Sequence, residues 1–377
     1  MTTTADDMKE KTMTTAATRP VMLGDLVDEA ELARAIEEGY VRRQVHPELP
    51  LAILNYTERC QYERAWTDVT RACRGLIVRD GTGEVIARPW AKFFNYGEHP
   101  EGSLDLLSPA EVTDKKDGSL GIMYPVPGGW AIATRGSFAS DQAIHATAVL
   151  RDRYPDFEPP EGMTVLFEIV YPANRIVVDY GATDDLILLG AVDIATGEAV
   201  GPHWISLWDG PITETMSAGT LAEALSLPPR PGREGVVCRL PGSVMIKLKQ
   251  DDYVALHRLI TGMNARVVWE RIGAGETAEQ ICAAIPEEFH PWVREVGGEL
   301  IREKNRIIDE ATAEHERILA GLPDGWTRKD YALIAGKSEH RAWLFNLLDE
   351  RDPSAGIWRT LKPSGERTLV AYSEDTA

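Results

Sequence analysis

Cysteine is scarce in this sequence: Cys60, Cys73, Cys238 and Cys282 are the only four among 377 residues, and no two form a CxxC pair. That spacing excludes a zinc knuckle or a disulfide framework and suits a reducing compartment. Long apolar runs are missing as well. Nothing approaches the ~18 consecutive apolar residues of a spanning helix, and the start, "MTTTADDMKEKTMTTAATRP", has no apolar core of a signal peptide. Neither a membrane span nor a secretory signal is expected, and residues 1–20 read as a disordered Thr-rich leader. Positive charge is also short, with 40 Lys and Arg against 59 Asp and Glu, a formal net charge of −19. A generic nucleic-acid binder is excluded, because such affinity comes from Lys and Arg neutralising phosphates. Any contact with phosphate must use a local patch. The eight histidines show no HExxH or other paired metal spacing.

The chain is long enough for two domains, and 44% of its residues are hydrophobic. Leu23, Leu26, Leu32, Ala35 and Ile36 recur at helical spacing and predict an opening amphipathic helix over about 21–39. Between Leu51 and Lys249 the texture becomes short β-branched runs closed by turn residues. Asp80-Gly81, Gly128-Gly129, Thr196-Gly197 and Pro241-Gly242 mark antiparallel hairpins. "TVLFEIVYPANRIVVDYG" reads as another, and helices are expected near 138–153 and 219–227. After Asp252 strand patterns almost vanish. "GELIREKNRIIDEATAEHERILAGL" carries a clear amphipathic helical period. The expectation is an α+β domain over 21–254, followed by a smaller all-helical domain over 255–377.

The chemistry-bearing residues are scattered through the first domain. "TDKKDGSLG" contains Lys-x-Asp-Gly, with Lys115, Asp117 and Gly118 in the pattern. "LFEIV" places Glu168 in an apolar strand, and "EGVVCRL" places Glu234 at a strand start. "MIKLK" puts Lys247 and Lys249 on one strand face. Arg74 opens "RGLIV", and Lys92 stands in the aromatic segment "RPWAKFFNYGE". Any one of these has a plain structural explanation. Together and in this order they resemble the covalent nucleotidyltransferases. "CRGLIV", "AKFFNYGE", "KKDGSLG", "EIVYPANRIVVDY", "EGVVCRL" and "IKLKQDDYVALH" resemble more closely the RNA ligase 1 family of bacteriophage tRNA-repair ligases, over about residues 50–260.

The resemblance implies a nucleotidyltransferase fold of antiparallel sheets with helices, ATP as substrate and Mg2+ or Mn2+ as cofactor. It makes Lys115 the nucleophile that takes AMP. Glu168 would hold the ribose hydroxyls, and Glu234 would help place a hydrated metal ion. Arg74 would meet ribose or phosphate, Lys92, Lys247 and Lys249 phosphates, and Tyr253 a supporting contact near the reacting ends. Asp117 could serve metal or ribose. Glu276 aligns with a metal position of the family's helical domain. Arg135 stands where the family carries a lysine. The adenine would stack on the strand 186–194 or on Val236. The implied partners are RNA 5′-phosphate and 3′-hydroxyl ends, including nicked tRNA anticodon loops. A cytoplasmic monomer, in bacterium or phage-infected host, is expected.

Elementary electrostatics adds two expectations. A lysine must lose its proton before it attacks phosphorus, and a pocket holding Arg74, Lys92, Lys247 and Lys249 would depress the Lys115 pKa. Adjacent strand residues face opposite sides, so Lys116 should be a solvated neighbour. Two rivals stay open: a DNA ligase or capping-type enzyme, and a catalytically silent RNA-end-binding protein. Three features are set aside. "AGKS" at 335–338 has Tyr331 where a phosphate-binding loop needs glycine, "GAGETA" from Gly273 reads as an interhelical turn, and His257 as a packed helical histidine.

Overall fold

The computed structural model describes residues 19–251, 253–255, 262–283, 285 and 289–368. Most of the expected leader and His257 lie outside them. The chain forms two compact units that divide at Gln250/Asp251.

The first unit opens with α1 (Leu23–Leu26) and α2 (Glu29–Glu37), two short helices where the apolar period predicts one. The break comes at Asp28, whose carboxylate caps α2 by accepting the Glu31 amide at 2.7 Å. Thirteen strands follow: β1 (Val41–Val45), β2 (Leu51–Tyr56), β3 (Arg74–Arg79), β4 (Val85–Ala87), β5 (Phe94–Asn95), β6 (Glu111–Lys115), β7 (Ser119–Val126), β8 (Gly129–Ala133), β9 (Met163–Val170), β10 (Asp185–Asp193), β11 (Ala199–Val200), β12 (Gly235–Leu240) and β13 (Val244–Lys249). They make three sheets, ordered β1-β2-β3-β4, β11-β10-β9-β7-β8 and β5-β13-β12-β6. All pairings are antiparallel except β5 with β13, which is parallel. The four hairpin turns fall where the turn residues place them.

The first two sheets pack face to face. Leu51, Ile53 and Ile77 of one meet Ile122, Ala133 and Leu166 of the other in a single core. The outer face of the first sheet is covered by α2 and by α4 (Asp68–Ala72), which follows α3 (Glu58–Glu63); Leu32, Ala35 and Val69 pack there on Leu54 and Leu76. α5 (Asp141–Arg153) covers the second sheet through Ala146, Val149 and Leu150. The third sheet buries one face against α6 (Leu221–Leu225), where Val112, Val236, Cys238 and Ile246 meet Leu221 and Ala224. Its other face is left to carry lysines.

"NRIVVDY" is not a strand. After β9 the chain turns at Pro172, and the amides of Val177 and Val178 both donate to the Asp117 carboxylate, at 2.8 and 2.7 Å. A side chain thus takes the backbone donors that a ladder would have used.

The described part of the second unit is helical: α7 (Ala265–Gly273), α8 (Ala278–Cys282), α9 (His290–Gly321), α10 (Arg328–Ala335), α11 (Arg341–Leu348) and α12 (Ser354–Thr360). Val268, Ile281 and Val293 join α7, α8 and the start of α9 in one core, while Ile318, Tyr331 and Leu344 join its end to α10 and α11. "GAGETA" is the turn between α7 and α8. No described helix is long and apolar enough to cross a membrane.

Candidate active site

Three strands of the third sheet bring the principal charges into one row. Gly235 of β12 pairs with Lys115 of β6 on one side and with Lys249 of β13 on the other. Directly cross-strand residues share a face, so both amines project from the same side. Glu234, one residue before Gly235, reaches between them. Its Oε2 lies 2.7 Å from Lys115 Nζ and its Oε1 2.9 Å from Lys249 Nζ. Lys247, two residues along β13, shares that face.

The close approach depends on Gly235. Its φ is +151°, and a Cβ there would stand 2.0 Å from the Leu248 carbonyl oxygen and 2.9 Å from Lys249 Cα. Both are backbone atoms and cannot swing aside. Gly235→Ala is therefore expected to push β12 from β13 where the two lysines share their carboxylate, costing roughly 1–3 kcal/mol. Differential scanning calorimetry checks this; an unchanged midpoint would contradict it.

The glycine of Lys-x-Asp-Gly has a similar reason. Gly118 donates its amide to Glu168 Oε1 at 2.9 Å, and a Cβ there would come within 2.5 Å of the Ile169 carbonyl oxygen. Glu168 of β9 is thereby aimed at the lysine row. Burial pushes its carboxyl up to about 7 against the pull of Lys115, with Glu234 and Asp117 repelling its charge as well. Ile187 of β10 stands opposite Glu168 and shares its face, whereas Val236 pairs with Asp114 on the buried face of the third sheet.

A cationic wall completes the site. Phe93 lies under both Lys247 and Arg74, with 4.6 Å from Nζ and 5.4 Å from Cζ to the ring centre. Arg74 also donates to the Trp90 carbonyl at 3.3 Å. Lys92 sits among Tyr56, Trp66 and Phe94, 5.2, 5.0 and 5.9 Å from their ring centres. It donates to Gln61 Oε1 at 3.4 Å and to the Tyr56 hydroxyl at 3.5 Å. Arg135 reaches the same hydroxyl at 2.5 Å. Tyr56, which no sequence motif marks, is thus where three cations meet. Despite burial, Arg135, Lys92 and Arg74 hold its phenol below the usual tyrosine range. Only its place at the end of a strand could have drawn notice. Among the described residues, none of Arg74, Lys92 and Lys247 has a carboxylate within ion-pair distance. Burial, aided by Lys115, Arg74, Lys92 and Lys249, holds Lys247 well below the usual lysine range.

Two expectations need correction. The depressed amine is Lys247 and not Lys115, which is raised: burial opposes its charge, but Glu234, Glu168 and Asp117 outweigh it. The carboxylates, Glu234 at 2.7 Å foremost, decide the direction over the basic wall. Lys116 does face away from Lys115, but it is buried, with 7% exposure, and pairs with Asp114 at 2.7 Å. Asp117 Oδ2 accepts from the Val177 and Val178 amides, so the carboxylate also anchors the loop after β9.

Two of the expected site residues belong to the second unit. Tyr253 is buried within the second unit. Glu276, also there, is gripped by Arg271, with Nη2 to Oε2 at 2.5 Å and Nε to Oε1 at 3.0 Å, so its carboxylate is spoken for. Glu234 has both oxygens on lysines. No group of three or more His, Cys, Asp and Glu that could hold a metal occurs among the described residues. The donor set does not fit a protein-held divalent ion.

Known proteins resemble the chain over the same strands. A family model described as RNA ligase matches residues 72–200, which span Arg74, Lys92, Lys115 and Glu168. This bears out the family reading of the motifs. A protein of Thermovibrio ammonificans named "Putative RNA ligase" is 32% identical over 138 residues, 35% of this chain and 36% of that one. One of Autographa californica nuclear polyhedrosis virus, named "Putative bifunctional polynucleotide kinase/RNA ligase", is 30% identical over 187 residues, 42% of this chain and 26% of that one. The chain therefore spans about a third and a quarter of these relatives. Among solved structures, an archaeal ATP-dependent RNA ligase is 13% identical at a TM-score of 0.43, covering 86% of this chain and 96% of that one. Naegleria gruberi RNA ligase with PPi is 18% identical at 0.32, covering 40% and 52%. Likeness that loose assigns no activity.

Proposed function

We propose that this protein is an ATP-dependent RNA ligase acting through a lysyl-AMP intermediate on Lys115. The observation that carries the reading is the charge pattern. Arg74, Lys92 and Lys247 are cations with no carboxylate partner among the described residues, set beside a lysine row, and this asks for a polyanion. A triphosphate supplies it.

In the proposed first step Lys115 Nζ, having lost its proton, attacks the α-phosphorus of ATP. A P–N bond forms, the bond to the β-phosphate oxygen breaks, and pyrophosphate leaves. Arg74, Lys92 and Lys247 neutralise the charge that builds on the departing oxygens. Glu234 and Glu168 are the nearest acceptors for the lysine proton. Next, an RNA 5′-phosphate oxygen attacks the same phosphorus and expels the lysine. An RNA 3′-hydroxyl then attacks the activated 5′-phosphate, and AMP departs. A divalent ion would have to arrive with the nucleotide.

Joining of single-stranded RNA ends, compared with sealing of nicked duplex DNA, tests the assignment; sealing of nicked DNA alone would overturn it. Repair of nicked tRNA anticodon loops is proposed on the motif resemblance, and nicked tRNA is the third substrate to include. A silent RNA-end binder would hold nucleotide but acquire no adenylate.

Glu168 makes a pH prediction. Its carboxyl titrates near 7, so it is neutral below that value and accepts from a ribose diol as a carboxylate above it. AMP affinity should therefore rise through a window of about one pH unit either side of that value, and Glu168→Gln should flatten the rise. Isothermal titration calorimetry across that range is the check.

A further inference from the structure

The loop after β9 holds the nucleophile turn from both sides of Gly118. On one side, the Asp117 amide donates to the Tyr180 hydroxyl at 2.8 Å, and the Asp117 carboxylate accepts from Val177 and Val178. On the other side Ser119 meets Asn174, the last residue of the single turn that begins at Pro172. Ser119 opens β7 and stands opposite Ile169 of β9, the residue after Glu168. Asn174 spans that pair. Its Nδ2 donates to the Ile169 carbonyl at 2.9 Å, and Ser119 Oγ lies 3.2 Å from the same nitrogen and 3.3 Å from Oδ1. Oδ1 also accepts from Gln142 Nε2 of α5 at 3.3 Å.

Ser119 is fully buried and Asn174 is 7% exposed, so water is no ready substitute for either. A buried amide that uses both its donor and its acceptor is held in one orientation, and it holds its partners in turn. The two residues it ties are the chain neighbours of Gly118 and Glu168. Gly118 donates to Glu168 Oε1 at 2.9 Å, the bond that aims this carboxylate. The fit there is tight: the Ile169 carbonyl oxygen that accepts from Asn174 is the atom a Cβ on Gly118 would approach to 2.5 Å. A shift of that carbonyl therefore moves Gly118 against Glu168. Asn174 bonds to Ser119, Ile169 and Gln142, none of them a charged residue of the site, so its influence on a nucleotide runs through Gly118 and Glu168.

We propose that Asn174 is a positioning residue for nucleotide binding: by tying Ser119 to the Ile169 carbonyl it fixes the contact between Gly118 and Glu168, and with it the direction in which Glu168 meets the ribose. The proposal rests on the reading of Glu168 as the ribose contact.

Asn174→Ala and Ser119→Ala each cut the tie. Neither removes a group that acts electrostatically on Glu168, namely Lys115, Glu234, Asp117, Arg74 or Tyr180. The readout is Glu168 itself, as a side-chain carboxyl signal in the full chain labelled with 13C at glutamate; Glu168→Gln identifies the signal. The Gly118 amide favours the charged carboxylate, so loosening that bond raises the titration midpoint. In wild type the signal should titrate at about 7, and in Asn174→Ala distinctly higher. AMP should bind Asn174→Ala about tenfold more weakly at neutral pH, the scale of one hydrogen bond to a charged group. A purely structural role would lower the unfolding temperature and leave the midpoint where it is. An unmoved midpoint in Asn174→Ala, or unchanged affinity for AMP, overturns the proposal. Should Asn174→Ala fail to fold, Ser119→Ala decides, since it removes a single hydroxyl; an unmoved midpoint there overturns the proposal equally. The titration is read on the free protein and needs no nucleotide transfer. A wild-type chain that takes no label from ATP would sink the ligase reading with the midpoint comparison intact, whereas a labelled wild type with an unmoved midpoint in the variant would sink the role of Asn174 alone.

Discussion

After incubation with α-labelled ATP and a divalent metal ion, the wild-type chain is expected to carry acid-stable label, and Lys115→Ala to carry none. The loss should be complete because no other amine occupies the same position. Lys249 shares Glu234 with Lys115 at a similar distance, 2.9 against 2.7 Å, but Lys115 is the one that carries the Lys-x-Asp-Gly spacing. Burial and the neighbouring cations lower the Lys247 pKa, but it lies with Arg74 over Phe93, among the groups placed to meet phosphate oxygens. Peptide mapping of the labelled wild-type protein separates the three. Label in Lys115→Ala, or label mapped to Lys247, would overturn the assignment. In the resting protein Glu234 stabilises Lys115 as an ammonium, so the amine must be released before it can attack. Triphosphate bound among Arg74, Lys92 and Lys247 would compete with Glu234 for the nearby cations.

Much of this could be read from the chain, and what could not has physical reasons. The hairpins announced themselves through glycine turns and alternation, which are local. Alternation also separated Lys115 from Lys116 correctly. What alternation cannot say is whether the far face is solvent or protein, and α6 with the loop before Glu234 covers it. "NRIVVDY" has the composition of a strand, and only the distant Asp117, 60 residues away from Val177, withdraws its amides. The direction of the Lys115 shift failed for the same reason. It depends on which opposite charges lie within a few ångströms, and those arrive from strands far apart in sequence. Gly235 was visible only as part of a motif; its need for absent side-chain volume appears once β13 is placed beside it.

The buried side of the nucleophile strand carries the second large prediction. Asp114 is fully buried in its side chain and answers three cations: Lys116 at 2.7 Å, Arg230 at 2.6 Å and Arg233 at 3.7 Å. Arg230 also donates to the Gly235 carbonyl at 2.7 Å, so this cluster buttresses the row on the opposite face. Removing Asp114 leaves the Lys116 ammonium buried without a counter-charge, a loss of about 3–5 kcal/mol for a buried pair broken on one side. Asp114→Ala should therefore lower the unfolding midpoint by on the order of 10 °C for a unit of this size. Removing both charges is a different matter. Lys116→Met with Asp114→Leu takes away the uncompensated ammonium along with its partner, and should recover most of what Asp114→Ala loses. The recovery should be incomplete, because Arg230 and Arg233 still lose the carboxylate they share. Thermal unfolding of the single and double variants measures the coupling. If Asp114→Ala unfolds at the wild-type temperature, Lys116 finds solvent at little cost, and its burial is not part of what holds β6 in place.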